Sequence, residues 1–284
     1  MNPMQVFETP GSVSLRFRLP SGRVVVTTAD EPRTSVELVP LGRRGSDAIE
    51  NVEVTCSDGA GGHVVTVEEK DRIRWGPLRI TWGADVEVRV TCPPGSDLDL
   101  SGGSTDLRAD GVLGEVAARS ASGDIRLETV TKRIQAKSAS GDISVRAIEA
   151  GGSIGSVSGD LDIGRVEATL SARSVSGDAR FRAVRAPLNL ATTSGDVELE
   201  SVEAGDVRVQ SVSGDVRIGV ARGTRVFIDA ASVSGSLTSE LGLADDEPAA
   251  ESEGDVEESP VVPLHVKTVS GDVSVVRAPA AVVV

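Results

Sequence analysis

Ser-Val-Ser-Gly-Asp occupies residues 156–160, 174–178 and 211–215, and near copies begin at Ser120, Ser138, Thr192 and Thr268. If such repeats stack, Asp124, Asp142, Asp160, Asp178, Asp196, Asp215 and, further on, Asp272 become a column of carboxylates, broken at Ser236. Two chemistries suit that column: a ladder that binds cations, or carboxylates that each cap the turn they sit in. Carboxylates about 5 Å apart repel by roughly 1 to 3 kcal/mol per pair at effective dielectrics of 80 to 20. Hydrogen bonds to a charged group return about 1.5 to 3 kcal/mol each. Capping alone therefore offsets the repulsion, and neither a metal nor another cofactor is needed. The nonapeptides of calcium-binding solenoids, of the GGxGxD kind, do not occur. Each Asp is expected to cap its own corner, with the Ser before the Gly doing the same. A cation ladder is the second reading.

Catalysis finds less support. His63 and His265 are the two histidines, too few and too scattered to suggest a Ser–His–acid set. GxSxG, the phosphate-binding P-loop and HExxH do not occur. The stretch GSIGSVSG at residues 152–159 resembles a Gly-rich phosphate loop, but it lies within the repeat register and no helical pattern follows it. An acid repeated in every unit marks out no single unit as a reaction centre, so no catalytic residue is assigned and an enzyme is not expected. Cys56 and Cys92 each end an alternating run, NVEVTC and DVEVRVTC. They could form a disulfide, but one pair in a long chain is no framework, and free buried thiols are the expected state. Without a CxxC a metal site is not indicated.

Composition narrows the partners. The 284 residues carry 29 Lys and Arg against 43 Asp and Glu, a net charge of -14. That balance opposes nucleic acid, whose phosphates need clustered cations, and also an anionic membrane surface. Aromatics make up 2% and there is no Tyr, which disfavours clefts that stack sugars or bases.

The glycines of the repeat fix its register. Gly123, Gly141, Gly159, Gly177, Gly195, Gly214, Gly235 and Gly271 are separated by 18, 18, 18, 18, 19, 21 and 36 residues. Two residues after them stand Ile125, Ile143, Leu161, Ala179, Val197, Val216, Leu237 and Val273; four after stand Leu127, Val145, Ile163, Phe181, Leu199, Ile218, Ser239 and Val275. Two before stand Ala121, Ala139, Val157, Val175, Thr193, Val212, Val233 and Val269. Polar residues fall between, which is strand periodicity with one wet face. A Gly, Ser and Asp in every eighteen residues oppose a helix. The fold class expected is all-β: a β-solenoid of about eight stacked 18-residue coils, each Gly marking a corner that needs positive φ or close backbone approach. A lone coil cannot offset its ordering entropy, so stability must come from stacking.

Residues 1–96 lack the beat yet read as short strands between turn signals, and are expected to form a β-rich N-terminal cap, with Trp75 and Trp82 packed inside it. Residues 97–284 form the repeat region. Within it, residues 243–260 hold eight acids and no base, and read as a mobile acidic insertion. The last repeat, around Gly271, is expected to close the rod. The start MNPMQVFETPGS has neither a basic n-region nor an apolar h-region, and no run approaches the roughly 20 apolar residues of a spanning helix. A cytoplasmic location is expected, and envelope association stays open.

The opening MQVFETPGSVSLRFRLPSGRVVV, the passage VEVRVTCPPGSDLDLSGGSTDLRADG and the SGD coils resemble a bacterial domain-of-unknown-function family of β-strand-repeat proteins labelled "putative adhesins". The resemblance extends over nearly the whole chain, the acidic insertion being its clearest departure. It implies a β-solenoid and brings no catalytic or binding residues. The expected function is a non-catalytic scaffold or interaction protein that docks a protein partner or another copy of itself, without nucleic acid and without inserting into a membrane. The alternative is a ligand-binding module, with the Asp column for cations or the wet strand faces for a polymer.

Overall fold

The computed structural model describes residues 4–41, 49–59, 62–70, 86–241 and 261–279. Trp75, Trp82 and the acidic insertion 243–260 lie outside them. Among the described residues, twenty-two strands join in one hydrogen-bonded sheet that winds as a β-solenoid.

The first strands are β1 (Met4–Glu8), β2 (Ser14–Thr28), β3 (Arg33–Pro40), β4 (Val52–Gly59), β5 (Gly62–Glu69), β6 (Val86–Cys92) and the 25-residue β7 (Ser96–Ser120). Along β2, Leu15, Phe17, Leu19, Val24 and Val26 are buried, and the residues between them are wetter. This alternation lets β2 run parallel to β7 from Ser14 opposite Asp97 to Thr27 opposite Asp110. On its other side β2 meets β5 and then β6, also in parallel. Among the described residues, antiparallel partners enter only here: β4 on β5, and β3 between β6 and β1.

Beyond β7 each coil contributes two strands. Those following an SGD corner are β8 (Ile125–Val130), β10 (Ile143–Ile148), β12 (Leu161–Val166), β14 (Ala179–Val184), β16 (Val197–Val202), β18 (Val216–Val220), β20 (Leu237–Ser239) and β22 (Val273–Arg277). Those preceding one, after the end of β7, are β9 (Ile134–Ser138), β11 (Gly152–Ser156), β13 (Leu170–Ser176), β15 (Leu188–Ser194), β17 (Val207–Ser213), β19 (Val226–Ser234) and β21 (Val262–Ser270). Pairing is parallel and in register with the repeat: Val145 faces Leu127 on one side and Ile163 on the other, and Ile163 faces Phe181. Both apolar columns after the glycine are buried as far as Val216 and Ile218, and again at Val273 and Val275.

The end of the stack departs from the sequence order. Strand β17 pairs with β21, which pairs with β19; β18 pairs with β22, which pairs with β20. The coil that comes last in the sequence is therefore inserted between its two predecessors. The expectation that the repeat at Gly271 closes the rod is corrected: the coil of β19 and β20 stands at the end. Its composition fits that place. Val275 occupies the core column, whereas its terminal neighbour is Ser239, and Leu237 is half exposed.

Both cysteines are free thiols. Cys92 is buried, and burial pushes its thiol up to about 11; Cys56 is half-buried, and burial, then the charge of Asp58, raise it less. A thiol reagent at neutral pH is expected to reach Cys92 only after denaturation. Titration with and without denaturant checks this, and two reactive thiols in the native protein would contradict it.

Candidate functional site

Along the SGD edge the structure builds three parallel columns from one pentapeptide. The carboxylates bond forward, from coil to coil. The backbone N–H of Asp124 donates to Asp106, that of Asp142 to Asp124, and so on through Asp160, Asp178, Asp196, Asp215 and Asp272 to the N–H of Ser236, at 2.8 to 3.2 Å. Each Asp thus caps the next coil's corner, whereas the sequence led us to expect its own. A turn-local reading could not see this, because donor and acceptor are 18 or more residues apart. The ladder also starts one coil earlier than expected, at Asp106, where no SGD stands. The signal was available: Asp106 lies 18 residues before Asp124, with Leu107 and Ala109 at core positions. Ser236 falls where the terminal coil has no neighbour to cap.

The hydroxyl column also differs from expectation. The Ser beside the Gly is exposed; the buried one is the first residue of the motif, at Ser120, Ser138, Ser156, Ser174, Thr192, Ser211 and Thr268. In three corners this hydroxyl accepts the glycine N–H, as from Gly159 to Ser156 at 2.9 Å. At Ser174, Thr192, Ser211 and Thr268 it instead donates to a carbonyl of its own corner, that of Gly177 or of the Ser before the later glycines, and at Ser232 to the Gly271 carbonyl of the neighbouring coil. Identical letters at 156–160 and 174–178 therefore take two corner forms, and φ turns positive only from Gly177 on.

Close approach is what all eight glycines share. A Cβ on Gly141 would stand 2.1 Å from the carbonyl oxygen of Gly123, and one on Gly235 2.1 Å from that of Gly271. The corners stack too tightly for any side chain at this position.

The third column holds the residues two before each glycine, and it points outward. Val157, Val175, Val212 and Val269 are 46 to 50% exposed and Val233 is 82% exposed, with Thr193 between Val175 and Val212. At one residue per coil and about 4.8 Å between coils, the run from Val157 to Val233 is an apolar stripe roughly 24 Å long. Sequence periodicity lined this column up with the core columns. It did not reveal that a corner turns it to solvent.

The wet faces alternate in charge. Arg146 pairs with Glu128 at 2.7 Å, Arg180 with Glu198 at 2.9 Å, and Arg185 with both Glu203 and Glu167, one coil to either side. These guanidiniums are thus matched by acids and do not add up to a basic stripe. His63 lies 2.9 Å from Asp58 on the strands β5 and β4, and His265 lies 3.3 Å from Asp229 on β21 and β19, at the other end of the sheet. Among the described residues no three His, Cys, Asp or Glu side chains converge to hold a metal ion.

Two predictions arise here. Calcium or a chelator is expected to leave the melting temperature unchanged, because one oxygen of each ladder carboxylate is already engaged by an N–H; a fall of several degrees on chelation would instead support the cation reading. The N–H and hydroxyl of Ser236 hold the Asp272 carboxylate below its ordinary range. A depressed pKa stabilises the fold fully above the ordinary carboxylate value, near 3.9, and the gain is lost as pH falls below that value through the depressed one. Amide exchange should show the terminal coil opening first on acidification, and Asp272→Asn should remove that pH dependence.

Residues 24–276 match the profile of a family described as Toastrack DUF4097. Among curated proteins, no match is found. Solved structures that resemble the chain include a "putative adhesin" from Parabacteroides distasonis, at 10% identity, 97% of each chain covered and a TM-score of 0.46. Another, from Parabacteroides merdae, shows 10% identity over 96% of this chain and 95% of its own, with a TM-score of 0.41. A "putative cell adhesion protein" from Clostridium sporogenes shows 7% identity over 98% of this chain and 100% of its own, with a TM-score of 0.27. Those descriptions belong to those proteins.

Proposed function

The chain belongs to the Toastrack DUF4097 family, and from that premise we propose that it is a non-catalytic scaffold whose solenoid edge binds a protein partner. The valine stripe carries this reading. Single exposed apolar residues are ordinary on a surface, but a row of β-branched side chains repeated at one position of successive coils is a continuous patch that water solvates poorly. Such a row suits an extended segment or a flat face of another protein. The exposed Ser after each valine, and the corner Asp that follows Val157, Val175, Val212 and Val269, supply a polar rim. The guanidiniums of Arg146, Arg180 and Arg185 are matched by acids, and one oxygen of each ladder carboxylate is already engaged, so the polymer and cation readings have less in their favour.

The test replaces Val157, Val175 and Val212 with Ser together. The three side chains stand outside the core, so the variant should keep the parent's melting temperature. A photo-crosslinking residue at position 193, in cells that make the protein, should yield a defined protein adduct in the parent and lose it in the variant. An adduct that survives loss of the three valines would refute the stripe as the binding edge.

A further inference from the structure

The coil of β19 and β20 leaves a sheet edge. Among the described residues β19 has one strand neighbour, β21, and β20 has one, β22. The free edge of β19 is nine residues long, holds no Pro or Lys and carries a single charge, at Asp229. Edges are normally blunted by such residues, by shortness or by a cover. The side chains here are also half-finished as a core. Val226, Ile228 and Ala230 pack against the hydrophobic interior yet remain partly exposed, while Phe227 on the outer face is 59% exposed.

We propose that this edge is a homodimer interface, in which β19 of one copy pairs antiparallel with β19 of a second copy about a two-fold axis at Ala230. The sequence of β19 is self-complementary in that register. All nine residues find a partner: Val226 opposite Ser234, Phe227 opposite Val233, Ile228 opposite Ser232, and Asp229 opposite Ala231. Inward residues meet inward ones, so the two cores become continuous. Phe227 and Val233, exposed by 59 and 82%, cover each other twice by symmetry. Charge fits as well. Ala231 stands beside Lys267 of β21, and Asp229 beside His265. Across the axis the Asp229 carboxylate therefore faces the other copy's Lys267 over a single methyl group, and the exchange is reciprocal. Because the interface is isologous, it closes at two copies and does not propagate into a fibre. It shares only Val233 with the valine stripe, whose other members belong to coils further down the stack.

Light scattering on the full chain after gel filtration tests the proposal. At concentrations up to about 100 µM, enough to reveal a dissociation constant in the micromolar range, the mass should be twice 29.3 kDa. The double variant F227K/V233K places like charges opposite each other at exposed positions. It should halve the mass while leaving the melting curve cooperative. Mixing it with F227E/V233E should restore the doubled mass as a heterodimer. A monomeric parent overturns the proposal, as does a dimer that survives F227K/V233K. If the parent is a monomer but dimerises once residues 242–260 are replaced by a short Gly-Ser linker, the chain's own acidic segment occupies the edge instead. The Val157, Val175 and Val212 triple variant should remain dimeric, so failure of the edge and failure of the stripe can be told apart.

Discussion

Replacing Ile163 by Asp is expected to abolish the cooperative melting transition. Ile163 is fully buried in the middle of the stack, with Val145 opposite on one side and Phe181 on the other. A carboxylate there would have neither water nor a hydrogen-bond donor, because the column above and below it is aliphatic or aromatic. The lost apolar contacts and the stranded charge together cost more than about 5 kcal/mol, comparable with the whole stability of a typical domain. Stacked coils share their core, so the damage does not stay within one coil. Ser144→Asp is the matched control, since it adds the same charge one residue from Val145 on the wet face and should shift stability by no more than about 0.5 kcal/mol. Circular dichroism and thermal melts decide the outcome. An Ile163→Asp protein with the parent's transition would put that column outside the core.

The core columns were legible in the sequence because strand alternation and an 18-residue spacing both act on the same residues. Leu127, Val145, Ile163 and Phe181 recur at one offset from a glycine, and no other fold satisfies that recurrence as simply. What the sequence concealed lies between coils. Asp142 accepts from the N–H of Asp160 in the next coil, a bond that exists only once the coils are stacked. The order of the last coils was equally hidden, since a spacing of 36 residues suits a chain that climbs steadily and one that overshoots and returns. Two residues did carry the answer. Ser236 in the carboxylate column and Ser239 in the core column are tolerable together only in a coil with nothing stacked beyond it. The valine stripe was concealed for another reason. Periodicity shows that a position repeats but not which way a corner turns it, and Val157 and Ile163 look alike until the backbone between them is known.

The same stacking makes Gly159→Ala the second large effect. Its φ lies outside the left-handed region, so backbone strain at the residue itself contributes little, and the expected loss comes from contact alone. The added methyl would stand 2.2 Å from the carbonyl oxygen of Gly141, 2.5 Å from its carbon and 3.0 Å from the N–H nitrogen of Asp142. All three are backbone atoms, so no side chain can swing aside. The coils must separate locally, which stretches the bonds from Ser158 to Ala139 and from Asp160 to Asp142, both 2.9 Å. A loss of about 3 kcal/mol or more follows from overpacking together with weakened hydrogen bonds. Gly11→Ala, with nothing within 4 Å of its added Cβ and no positive φ, should fall within about 0.5 kcal/mol of the parent. Urea unfolding compares the two: the midpoint should drop for Gly159→Ala at an unchanged slope and hold for Gly11→Ala. Equal midpoints would mean that the corners are not in contact, and the glycine column would then need another explanation. A large loss at Gly159 alone would show that the SGD glycine serves the stack, since a single turn in isolation would accept alanine there.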